Sequence, residues 1–280
     1  MSYVTPEDFA TKMVDAGEAK MKMSTKDTLI RAYMAGAILA LAAAFAITIT
    51  VNTGQPLVGA LLFPVGFCLL YLLGFDLLTG VFTLCPLALW ARRPGVDTKS
   101  LMRNWGLVFV GNFAGAMTTA VFMAIILTMG FTEEPNAVGQ QIGHIGEGRT
   151  LGYAEAGAGG MLTLFIRAVM CNWMVSTGVV AAMMSTSVSG KIMAMWMPIL
   201  IFFYLGFEHS IVNMFLFPSG IMLGGQFTWS DYFLYNEIPT VIGNVVGGLT
   251  FVGAMIYGTH YKKAPDADPE AVTPALKPAE

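Results

Sequence analysis

Four ionisable side chains stand in stretches of this chain that are otherwise apolar. Asp76 closes Leu73-Gly74-Phe75-Asp76, Glu208 and His209 close Leu205-Gly206-Phe207-Glu208-His209, and Arg167 follows Leu164-Phe165-Ile166. No Asp, Glu, Lys or Arg occurs from Ala32 to Phe75, a run longer than the roughly 20 residues one membrane span requires. A charge at mid-bilayer costs about 2.5–3.5 kcal/mol on insertion scales, so each of the four needs a role. A carboxylate there either ligates a solute or accepts hydrogen bonds that brace irregular backbone. We read Asp76 and Glu208 as braces, because they recur one per half of the chain. Arg167 either pairs with one of them or faces an outer mouth. An imidazole exchanges protons near neutral pH, and His209 has no counterpart in the first half, where Leu77 occupies the matching position. It is therefore the expected functional group, with Thr79 within hydrogen-bonding reach if the two segments face each other.

Other chemistries find little support. One deep histidine, with no His-Glu-x-x-His and no Gly-x-Ser-x-Gly, argues against an intramembrane hydrolase built on Glu208-His209. No phosphate-binding Gly-x-x-x-x-Gly-Lys-Ser/Thr loop is present. Cys68, Cys85 and Cys171 all sit in apolar stretches and read as small buried hydrophobes. We expect no catalytic residues, no metal site and no cofactor.

The elements that must position these residues follow from composition. The 280 residues are 55% apolar and 12% charged, with a mean hydropathy of +0.65, where soluble domains carry about a quarter charged residues. This excludes a disordered chain, a coiled coil, a nucleic-acid-binding module and most cytosolic enzymes, and predicts an all-α membrane protein embedded in the bilayer. Charges and Gly/Pro/Asn clusters divide it into six spans, near 30–51, 57–91, 103–130, 161–187, 191–224 and 238–260. Residues 1–28 are polar and the next block is too long for a cleavable apolar core, so that block is expected to be a span. With six spans, thirteen Lys and Arg fall on one side, and Arg149 alone falls on the other beside Glu133, Glu134, Glu147, Glu155, Asp231 and Glu237. Both termini are then expected in the cytoplasm. Thr5-Pro6-Glu7-Asp8 opens a predicted amphipathic helix over 6–24 within a cytoplasmic segment 1–28. The transmembrane domain is 29–262, and the Pro- and acid-rich tail 263–280 is expected to be disordered.

An internal repeat sharpens the reading. Asp76 and Glu208, Pro86 and Pro218, and Gly111-Asn112-x-x-Gly115 and Gly243-Asn244-x-x-Gly247 are each separated by 132 residues. The repeats are about 29–130 and 161–262. Three spans per repeat require the second to be inverted, with helices 2 and 5 interrupted and a permeation site between the halves. Apolar candidates for its lining are Phe63, Phe67, Leu77, Leu78 and Phe202. Contact with lipid or with neighbouring helices is the competing role for each.

Gly206-Phe-Glu-His-Ser-Ile-Val-Asn-Met-Phe215 with Pro218-Ser-Gly220, Arg167-x-x-x-Cys171-Asn172-Trp173, and Gly74-Phe-Asp-Leu-Leu-Thr-Gly80 closely resemble motifs of the formate/nitrite transporter family. The resemblance spans 5–262. It implies an aquaporin-like protomer of six helices, a homopentamer with one pore per subunit, and a place in the bacterial inner membrane. The implied permeants are small monovalent weak-acid anions such as formate or nitrite, together with a proton. It implies His209 and Thr79 as the central pair, Glu208 and Asn172 as further site residues, and Phe63, Phe67, Leu77, Leu78 and Phe202 as constrictions. The family commonly carries a vestibule lysine sixteen residues before the Asn of Cys-Asn-Trp. Here that position is Ala156, beside Glu155. An acidic mouth without the lysine leaves an ammonium/ammonia or neutral-solute channel as the alternative.

Overall fold

A chain this poor in polar side chains must satisfy its backbone groups internally. The computed structural model describes residues 3–262 and does so almost wholly with helices. The tail 263–280 lies outside the described residues. Helix α1 (Pro6–Lys22) precedes α2 (Thr25–Thr53). Then come α3 (Pro56–Leu62), α4 (Pro64–Leu72) and α5 (Leu78–Trp90), followed by α6 (Thr98–Leu127), α7 (Ala137–Gly148), α8 (Leu151–Glu155) and α9 (Gly157–Met183). After α10 (Val188–Tyr204) and α11 (Ser210–Met222) the last helical run comprises α12 (Trp229–Tyr232), α13 (Ile238–Gly248) and α14 (Met255–His260). Its pieces are joined by π-helical turns at Phe233–Glu237 and Leu249–Ala254.

Four of these stretches, α2, α6, α9 and Trp229–His260, are long and apolar enough to cross a membrane. The other apolar stretches are broken, Pro56–Leu72 from α5 and α10 from α11. Each break is a glycine stop. Gly74 has φ 74° and Gly206 φ 67°, the left-handed region that side chains avoid. At the first break the amide of Phe75 bonds the carbonyl of Leu70 and that of Gly74 the carbonyl of Tyr71. At the second, Phe207 bonds Phe202 and Gly206 bonds Phe203 in the same pattern. Both are Schellman closures, which use up carbonyls that an open helix end would leave bare.

The matched Gly-Asn-x-x-Gly segments explain the closest packing. Helix α6 lies against α2, and α13 against α9. A Cβ on Gly115 would stand 1.9 Å from the carbonyl oxygen of Tyr33, and one on Gly247 2.1 Å from that of Val169. Small residues at such crossings let backbones approach where lipid supplies no hydrophobic drive between helices.

Helix α1 starts as the Thr-Pro-Glu-Asp signal predicts, with Thr5 accepting from the Asp8 amide. It buries Phe9 and Met13 and packs on α5, α6 and α14. Two sequence expectations change. The segment 131–160 reads as loop because it is glycine-rich and polar, yet it forms α7, which packs on α11 and α2. There Gly146 is needed for contact, since a Cβ would meet the Phe227 ring at 2.4 Å. The last helix begins at Trp229 rather than near 238, so Glu237, read as an outer-loop charge, is inside it and buried. Its carboxylate accepts from Ser210 Oγ at 2.5 Å and Tyr232 OH at 3.0 Å, which compensates the burial.

Gly115→Leu and Gly247→Leu should each destabilise the protein by about 3 kcal/mol or more through overpacking against rigid backbone. Thermal unfolding in detergent should show a large loss for both, whereas Gly106→Leu, which meets nothing nearby, should behave like the native chain.

Candidate functional site

A broken helix in an apolar setting exposes amides at the start of its second piece, and one side chain answers this at each break. Asn112 Oδ1 accepts from the Leu78 amide at 2.9 Å, while its Nδ2 donates to the carbonyls of Ala32 at 2.7 Å and Asp76 at 2.9 Å. Asn244 Oδ1 accepts from the Ser210 amide at 3.0 Å, and its Nδ2 donates to Ala168 at 2.8 Å and Glu208 at 2.9 Å. The asparagines of the Gly-Asn pairs hold these backbone groups, and the carboxylates face other side chains. Asp76 forms an ion pair with Lys20 of α1. Glu208 accepts from Tyr153 OH at 2.9 Å, Asn213 Nδ2 at 3.0 Å and Asn236 Nδ2 at 3.2 Å, with Arg149 at 3.6 Å. Arg167 donates to the Tyr153 hydroxyl at 2.8 Å, so it reaches Glu208 through that tyrosine.

His209 is the N-cap of α11. Its Nδ1 accepts from the Val212 amide at 3.3 Å, which places the proton of a neutral ring on Nε2. Nε2 lies 3.4 Å from Thr79 Oγ1. The ring stacks on Phe202 with centroids 5.4 Å apart. The two breaks therefore meet at an imidazole and a hydroxyl, both buried.

Cavities approach this pair from two sides. One of about 160 Å³ is lined by His209, Phe202, Phe203 and Arg149, and reaches α7. The other, of about 300 Å³, is lined by Thr79, Leu77, Phe67, Tyr71, Lys20 and Arg31, and reaches α1. The His209–Thr79 pair stands between them, with His209 facing one cavity and Thr79 the other.

Not every expected residue lines these spaces. Phe63 lies flat against Phe203 with centroids 3.8 Å apart and meets Phe202 edge-on. Leu78 is buried, and the Glu208 carboxylate is fully engaged. Asn172 donates to the carbonyls of Thr79 at 3.2 Å and Asn244 at 2.6 Å and accepts from Ser176, tying the first break to α13. Sequence reasoning missed Lys20, Tyr153, Asn236 and Glu237 as neighbours of the breaks. Arg149 carried a signal, being the lone base among six acids on its side. Among the described residues no three His, Cys, Asp or Glu side chains converge as metal ligands would.

Long apolar helices, two glycine-stopped breaks and paired cavities meeting at a polar contact define a multi-pass membrane protein built around a transmembrane passage. The chain belongs to the formate/nitrite transporter family: residues 7–258 match the family of that description. It is 35% identical to a probable formate transporter of Methanothermobacter thermautotrophicus over 94% of this chain and 99% of that one. Among solved structures, a pentameric formate channel with formate bound is 25% identical, covering 83% of this chain and 96% of its own, with a TM-score of 0.69. An ion channel of the same family shares the fold at a TM-score of 0.77 and 21% identity, over 90% of this chain and 98% of its own.

Asn112→Ala or Asn244→Ala strands the amide beyond the break and the carbonyl of the break acid in a dry interior, at about 1–3 kcal/mol per unsatisfied group. Each variant should lower the unfolding temperature in detergent markedly more than Asn104→Ala, which loses a bond to the Lys20 carbonyl.

Proposed function

We propose that the protein is a pore for small monovalent weak-acid anions, formate first among them and nitrite as a further candidate, with a proton as co-substrate at low pH. The single observation that carries this reading is the His209–Thr79 contact between two cavities. A bare anion crossing so dry a partition loses its hydration at great cost. An anion that takes a proton there, delivered from the aqueous mouth through water that the imidazole orders, crosses as a neutral acid and gives the proton back to water on the far side. Thr79 orients the ring from one side and Phe202 from the other, while Glu208 anchors the turn that carries it. Phe67 and Leu77 narrow the α1-side approach, and Phe63 holds Phe202 and Phe203 in place. Leu78 and Asn172 support the first break.

In this reading the six spans form two inverted repeats, 29–130 and 161–262, with helices 2 and 5 interrupted as in an aquaporin-like protomer. Five such protomers assemble as a homopentamer in the bacterial inner membrane, with both termini cytoplasmic and helix α1 packed on that face. The pentamer and the formate follow the solved relative described above. The matched Asn112 and Asn244 braces support the duplication.

Ammonium or a neutral solute is the rival permeant, prompted by Ala156 where a vestibule lysine would attract anions. Arg149 favours the anion, because it lines the α7-side cavity and, with Arg167, outnumbers the one carboxylate, Glu208, that the two share. A positive charge in a low-dielectric mouth concentrates anions and repels ammonium.

Formate uptake into proteoliposomes should rise as pH falls for the native chain, and His209→Phe should flatten that profile; identical profiles would refute the role given to His209. Arg149→Gln should lower the formate-to-methylammonium flux ratio by about tenfold, measured in the same vesicles with both solutes labelled.

A further inference from the structure

The asparagine braces also bring two arginines into register, and among the described residues only one of them is engaged. Asn112 bonds the carbonyl of Ala32 on α2, and Asn244 that of Ala168 on α9. Gly111 and Gly243 meet the same two alanines. The residue before each alanine is an arginine, Arg31 in one case and Arg167 in the other. Because each asparagine also bonds the carbonyl of the break acid, Asp76 or Glu208, each arginine stands level with a break. Arg167 is committed to Glu208 through the Tyr153 hydroxyl. At the first break Lys20 takes Asp76 instead. Arg31 is left exposed, on the wall of the 300 Å³ cavity that leads to Thr79. The other charged groups in that wall, Lys20 and Asp76, offset each other, so among the described residues the cavity carries one uncompensated positive charge.

We infer that Arg31 is an anion-docking residue, holding a small monovalent carboxylate or oxyanion in the α1-side cavity that leads to Thr79. The chemistry fits the position. A guanidinium offers two parallel N–H donors to a carboxylate and keeps its charge at any physiological pH. Leu77, Leu84 and Val179 supply low-dielectric walls that focus its field. The cavity has room for the anion and several waters, each occupying about 30 Å³. The inference rests on the anion-pore reading and adds to it a second binding position, on the side away from Arg149.

The test is the formate concentration dependence of flux in proteoliposomes. Arg31→Gln should raise the half-saturating formate concentration about tenfold at low ionic strength while leaving the maximal rate within about twofold, and Arg31→Lys should recover most of the lost affinity. The native advantage should shrink toward 1 M salt, where the screening length falls to about 3 Å. An unchanged half-saturation point, or a lower maximal rate alone, would overturn the assignment. A second measurement needs only the native protein: formate should slow phenylglyoxal modification of Arg31, followed by mass spectrometry, relative to Arg92 and Arg93. Equal modification rates with and without formate would also overturn it. A native chain that moves no formate above protein-free vesicles would instead sink the transport reading.

Discussion

Backbone hydrogen bonding in a place without water is the constraint from which the rest of the structure follows. A helix that stops inside an apolar layer exposes carbonyls at its end and amides at the next beginning, and lipid satisfies neither. This protein stops two helices there and answers each exposure twice. The Schellman closure at Gly74 or Gly206 takes up the carbonyls, and Asn112 or Asn244 takes up the amide beyond the break. The same asparagines reach back to α2 and α9, so each break is pinned to its neighbouring helix. The glycines beside them then become a consequence, because the reach of an asparagine side chain requires the helices to cross almost backbone to backbone.

Once the breaks are pinned, their two loops can hold polar side chains at a fixed separation. His209 owes its orientation to two local facts, the Val212 amide on Nδ1 and the Phe202 ring beneath it. Thr79 is placed by the opposite break, whose carbonyl at the same residue is held by Asn172. The 3.4 Å between them is thus set by backbone anchors on both sides. The acidic residues contribute differently from what their repetition implies. Asp76 ties the first break to α1, and Glu208 collects Tyr153, Asn213, Asn236 and Arg149 around the second. The two breaks are alike in backbone and unlike in charge, and the two cavities differ accordingly.

Much of this was legible in the residues themselves. A chain with no charge from Ala32 to Phe75 has little choice but to sit in lipid, and the 132-residue register of acid, proline and Gly-Asn marks the matched breaks. His209 stood out because a lone imidazole in such a place is costly to keep. The Thr5 cap and the start of α1 followed from local propensity alone. What periodicity does not carry is contact between distant segments. Helix α7 was hidden by its glycines, among them Gly146, whose use is to meet Phe227. Glu237 looked like a loop charge because its partners, Ser210 and Tyr232, come together only in the folded chain.

The sequence by itself therefore determined the solvent, the places where helices stop and the identity of the central imidazole, since all three depend on residue type and short-range spacing. Tertiary structure alone decided that Thr79 meets His209, that Lys20 closes on Asp76, and that Arg149 and Arg31 each line a cavity. Those outcomes depend on how helices far apart in the chain rotate against one another. In a membrane that rotation is set by close packing and buried hydrogen bonds, which leave only a faint mark on linear pattern.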